Sequence, residues 1–126
     1  MAGYSIDIEK ATIENDYFRK VLFTGPHMQL VLMTLQPGED IGQETHDEHD
    51  QFIRVEAGTG RAMVGGEEFE LHDGSIVVIP AGAQHNVINE SRTEPLRLYT
   101  LYAPPEHPDG TVHRTKEEAE AAEHHH

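Results

Sequence analysis

Glu44 and His46 stand two residues apart, Gln51 follows five positions after His46, and His85 appears beyond a second, separate apolar run. In an extended chain, side chains two apart emerge on one face, so Glu44 and His46 lie side by side. Gln51 comes after a short turn and opens the next strand, where it can swing back to the same point in space. The apolar run Ile76-Val77-Val78-Ile79 ends at Pro80, turns through Gly82 and delivers His85 at the start of another strand. A carboxylate, an amide and two imidazoles can move protons or hold an ion. The chain has no cysteine, so disulfides and thiolate ligands are excluded and any metal must be bound through nitrogen and oxygen.

Positioning these groups falls to short β-rich runs separated by turn signals, the pattern of a sandwich or barrel. The runs are Tyr17–Phe23, Met28–Gln36, His49–Ala57, Gly60–Val64, Glu67–Leu71, Ser75–Ile79, Gln84–Asn89 and Leu96–Ala103, with an extra edge strand expected at Tyr4–Ile8. Val64-Gly65-Gly66-Glu67 reads as a hairpin, since paired glycines supply the positive φ of a two-residue turn. After it, Glu68 and Glu70 alternate with Phe69 and Leu71, which predicts acids toward solvent and both apolar groups toward the core. Residues 115–122 are helix-prone, with Thr115 and Glu118 in capping-box spacing but no apolar stripe, and predict a peripheral terminal helix.

A chain of 126 residues suits a single domain. The expected organisation is an N-terminal part over 1–27 completing the barrel or a dimer edge, a barrel over 28–103, and a C-terminal lid or tail over 104–126. His124–His126 read as a purification tag and are set aside. With 9 Lys and Arg against 23 Asp and Glu, the net charge of −14 repels phosphate backbones and anionic bilayers, so neither nucleic acid nor membrane is expected as a partner. The N-terminus has no basic or apolar leader run, which sets a cytoplasmic expectation.

Two spaced motifs resemble those of the cupin superfamily. Gly38-x5-Glu44-x-His46-x4-Gln51-x6-Gly58 matches the spacing of the first, and Gly74-x5-Pro80-x-Gly82-x2-His85-x3-Asn89 matches the second in full. The resemblance spans residues 28 to 103 and implies an all-β fold, the double-stranded β-helix or jelly-roll barrel of RmlC-like proteins, with a short C-terminal helical or irregular tail. It also implies a metal inside, held by His46 and His85, by Glu44 as a carboxylate ligand, and by Gln51 as an amide-oxygen ligand or a supporting group. Glu44 stands where most cupins have a histidine, and Gln51 where they have an acid. A set of two histidines and a carboxylate suits Fe(II) and also accepts Mn, Co, Ni or Zn. The alternative is a polar barrel in which Glu44 and Gln51 satisfy each other without an ion.

The function expected from this resemblance is a metal-dependent enzyme acting on a small polar molecule, of isomerase or dioxygenase type, with Glu44 as general base if it is not a ligand. The alternative is a non-catalytic cupin that binds or senses a small molecule, with a structural metal or none. No phosphate cradle is evident, which disfavours phosphosugars. His49 is expected to face solvent. His27 and His72 sit in turns and receive no role. The proline-rich exit from the barrel is either a lid that brings His107 or His113 to the pocket or a plain tail. A homodimer exchanging the Tyr4–Ile8 strand is also expected, since it would cover an open edge.

Overall fold

The alternating strands assemble into two antiparallel sheets in the computed structural model, which describes residues 2–123. His124–His126 lie outside the described residues. In chain order the elements are α1 (Ile8–Glu14), β1 (Arg19–Thr24), β2 (Gln29–Leu35), β3 (Glu44–Thr45), β4 (Asp50–Ala57), β5 (Gly60–Val64), β6 (Glu67–Leu71), β7 (Ile76–Ile79), β8 (Gln84–Ile88), β9 (Leu96–Ala103), β10 (Val112–His113) and α2 (Lys116–Glu123). The larger sheet runs β10-β1-β2-β9-β4-β7 and the smaller β3-β8-β5-β6. This is the jelly-roll barrel, with the expected short C-terminal helix.

Side-chain parity decides what fills the space between the sheets. Val31, Met33 and Leu35 of β2, Ile53 and Val55 of β4, Leu96 and Leu98 of β9, and Val87 of β8 alternate inward and are almost fully buried. Each such burial contributes roughly 1.5–3 kcal/mol. Along the same strands the inward positions turn polar toward one end. There Gln51 pairs in register with Tyr102, and Tyr102 with Gln29. The barrel is therefore apolar at one end and polar at its mouth.

The motif glycines serve this architecture. Gly58 has φ +96°, and a Cβ there would stand 2.4 Å from the Pro95 carbonyl oxygen, so only glycine lets the turn after β4 pass β9. Gly65 and Gly66, at φ 56° and 89°, close the β5–β6 hairpin where expected. The second motif's Asn89 is buried and structural. Its Nδ2 donates to the carbonyls of Leu35 and Glu94 while its Oδ1 accepts from Ser91.

Several expectations are corrected. Tyr4–Ile8 is not a strand: Tyr4 stacks on Phe23 at 5.2 Å, and Asp7 caps a helix beginning at Ile8 by accepting the Lys10 amide at 3.2 Å. The strand named for exchange between subunits is thus absent. An acidic N-cap followed by buried Thr12 on the next turn outweighed the β-prone Tyr4 and Ile6. Phe69 is 41% exposed, because β6 is the outer strand of its sheet and only Leu71 reaches the core. The terminal helix forms with Thr115 Oγ1 accepting the Glu118 amide, and buried Ala119 docks it. No helix among the described residues is long and apolar enough to cross a membrane.

Candidate functional site

Strand β3 exists only as a two-residue ladder, yet it sets the site, because Glu44 pairs in register with His85 and Thr45 with Gln84. His46 follows directly, and its carbonyl accepts the Gly82 amide at 2.9 Å, so the two sequence motifs are tied together through backbone. The ring of His46 lies 5.3 Å from that of His85 and 6.1 Å from that of Tyr102. Of the residues singled out in sequence, Glu44, His46 and His85 therefore come together.

Gln51 projects inward from β4 and is buried, with Nε2 donating to Thr100 Oγ1 at 3.0 Å. Its Oε1 is buried and has no partner among the described residues. An unpaired buried acceptor is costly and calls for a donor or a cation. His85 Nδ1 lies 3.0 Å from the Ala83 carbonyl, which can only accept, so Nδ1 carries the proton and a neutral ring keeps its lone pair on Nε2. A backbone carbonyl on the far nitrogen is a common way to orient a metal-binding histidine.

His46 Nε2 contacts Glu44 Oε2 at 2.9 Å. Glu44 thus pairs with His46 rather than with Gln51. The Glu44 hydrogen bond, reinforced by Glu106, raises the His46 pKa against the opposing cost of burial and the field of Arg19. As they stand, no three His, Asp or Glu side chains among the described residues are grouped to hold an ion.

The proline-rich exit is a strap over the barrel mouth. Pro104 to Asp109 leaves β9, and the chain returns through β10 to pair with β1, Arg19 opposite His113. The strap is held from beneath by buried Gln29, whose Nε2 donates to the His107 carbonyl and whose Oε1 accepts the amides of Glu106 and His107. It delivers Glu106, with Oε1 3.7 Å from His46 Nδ1 and Oε2 2.6 Å from His49 Nε2. His49 also contacts the Pro104 carbonyl through Nδ1 at 2.8 Å, so it is pinned under the strap rather than facing solvent. His107 packs edge-on against Tyr102, and burial lowers its pKa to about 3. His113 meets Arg19 instead of the Glu44–His46 pair. His27 and His72 are exposed, as their turn settings imply.

Sequence reasoning missed Glu106, Gln29 and Arg19. Glu106 carried a faint signal in its neighbour, since His107 was already a lid candidate. Gln29 and Arg19 carried none beyond their places in strands. A pocket of about 170 Å³ lies against β8, lined by Gln43, Met63, Gly66, Gln84, Asn86 and His85 itself. It shares His85 with the cluster.

A cupin-domain family model matches residues 31–102. The Bacillus subtilis protein YrkC is 49% identical over 95% of this chain and 67% of its own length. Protein L612 of Acanthamoeba polyphaga mimivirus is 46% identical over 86% of this chain and 70% of its own. The crystal structure of BH2720 from Bacillus halodurans superposes with a TM-score of 0.92 at 46% identity, covering 95% of both chains.

Proposed function

The chain belongs to the cupin family, and from that premise we propose that its barrel mouth holds one divalent transition ion through Glu44, His46, Gln51 and His85 and acts on a small polar molecule. The observation that carries this reading is the buried, unpartnered Oε1 of Gln51, an acceptor left without a donor inside the barrel. The donor set fits a borderline metal: imidazole nitrogens, a carboxylate and an amide oxygen suit Fe, Mn, Co, Ni or Zn, and no thiolate competes. His85 already holds the tautomer a ligand needs.

When bound, such an ion supplies a Lewis acid or an oxygen-activating centre, the chemistry of an isomerase or a dioxygenase. The remaining work falls to the chain. Glu44, in contact with His46, serves as general base for a substrate carbon or hydroxyl only where it is not itself a ligand. The strap places Glu106 behind His46. Thr100 fixes the amide of Gln51 so that its oxygen stays available.

The direct Glu44–His46 contact favours a second reading, a non-catalytic module that binds a small molecule with no ion. Metal analysis separates the two. Tag-free protein reloaded with Fe(II), Mn(II), Co(II), Ni(II) or Zn(II) retains close to one equivalent of at least one of them, and Glu44→Ala and His85→Ala each lower that retention. Retention of only a small fraction of an equivalent by the wild type rejects the metal reading.

A further inference from the structure

Arg19 projects inward from β1 beside Val21, and the residue is only 3% exposed. The chain carries 23 acidic residues, yet among the described residues none pairs with this guanidinium. Its Nη1 lies 3.2 Å from His113 Nδ1, and its Nε is buried without a partner. Arginine only donates, so His113 receives that bond on a lone pair and stays neutral. Burial, then the field of Arg19, holds the His113 pKa down. Phe18 offers its ring face at 5.3 Å, which softens the charge without neutralising it. A buried charge left without a counter-ion is destabilising, and an apolar side chain of similar length would cost less.

The guanidinium meets His113, which faces Arg19 across the β1–β10 ladder where the chain returns from the strap. Its field reaches His46, Tyr102 and His107, all at the barrel mouth. Four other basic side chains are paired, Arg54 with Glu56, Arg61 with Glu90, Arg97 with Asp16 and Lys116 with Asp40, while Lys10, Arg92 and Arg114 are exposed and Lys20 lies over the Tyr17 ring.

We propose that Arg19 is the anchor for the carboxylate of a small organic acid that enters the barrel. A single planar guanidinium matches a carboxylate in two parallel hydrogen bonds. A phosphate dianion would need further cations or a cradle of backbone amides, and neither accompanies Arg19. The proposal deepens the pocket reading and rests on it for one thing, the direction in which the rest of the ligand faces: toward Glu44, His46 and Gln51. The net charge of −14 opposes anions at a distance, so recognition is local, and added salt speeds entry by screening that repulsion.

The test uses wild type and Arg19→Met, both freed of metal by chelation, in chloride buffer, with acetate, malonate, inorganic phosphate and neutral acetamide as probes. The readouts are Tm and, in labelled wild type, the ¹⁵N resonance of the Arg19 Nε–H. Acetate or malonate is expected to move that resonance saturably and to raise the wild-type Tm by a few degrees, while acetamide does neither. Arg19→Met is expected to melt no lower than wild type without probe and to give no carboxylate response. An unmoved Arg19 resonance overturns the proposal, as does an equal carboxylate-induced Tm rise in Arg19→Met or a stronger response to phosphate. If Arg19→Met does not fold, the wild-type resonance decides alone. A responsive Arg19 in a protein that retains no metal sinks only the metal reading, and a silent Arg19 in a protein that retains it sinks only this one.

Discussion

Gln29 on β2 and His107 on the strap are joined at both ends of one amide side chain: Gln29 Nε2 donates to the His107 carbonyl at 2.7 Å, and Gln29 Oε1 accepts the His107 amide at 2.9 Å. A buried side chain thus acts as a strand partner for a segment that has no strand of its own there. Losing it leaves backbone groups of the strap unpaired, at about 1–3 kcal/mol for each buried group. Gln29→Leu should therefore free the strap while the barrel persists. Hydrogen exchange checks this: the amides of Glu106 and His107 speed up and those of β4 and β9 keep their protection.

Glu106 should matter to the cluster through orientation. It sits behind His46 and is pinned by His49 Nε2 at 2.6 Å. Carboxylates placed behind metal-binding histidines typically support affinity by about 10–100-fold. Glu106→Gln is expected to weaken metal retention by an amount in that range with an unchanged circular dichroism spectrum. Equal affinity in the two proteins would mean that the strap carboxylate does not act on His46.

Gln51 offers a test in both directions. Gln51→Glu places a carboxylate at the motif's usual acidic position and should tighten divalent metal binding. Gln51→Met removes the unpartnered Oε1 along with the hydrogen bond to Thr100. Because an unsatisfied acceptor costs about as much as a hydrogen bond contributes, its Tm without metal should stay near that of wild type. A large loss of Tm in metal-free Gln51→Met would show that Oε1 has a partner within the fold.

His107 predicts an acid-sensitive stability. Its folded pKa is lowered to about 3, chiefly by burial, while the unfolded chain titrates near 6.5. Between these values the unfolded state binds the extra proton, so the stabilisation is complete above about pH 6.5 and is lost as pH falls toward 3. The slope approaches about 1.4 kcal/mol per pH unit within that window. Denaturant titrations from pH 7 to 4 should show a shallower decline in His107→Phe than in wild type.

Much of the barrel was legible along the chain. Gly60–Val64 and Leu96–Ala103 are strands at the bounds their alternation predicts, because period-2 burial is a local property of a half-buried strand, whereas Glu67–Leu71 keeps its bounds with only Leu71 buried. The spacing from Gly38 to Gly58 and from Gly74 to Asn89 was equally readable, although the Pro95 carbonyl that makes glycine necessary at Gly58 comes from a distant segment. The observed alternation of β4 turns Gln51 inward, with Phe52 and Arg54 on the other face. Only the tertiary structure decided which polar groups meet at the mouth. Glu44 faces His85 through a ladder too short to leave a pattern, and Glu106 reaches His46 because Gln29, far away in sequence, holds the strap down. Arg19 looks like any strand arginine until the sheets close and leave it buried without a carboxylate. Local periodicity records which way a side chain points; what it meets there depends on segments that only the folded barrel brings together.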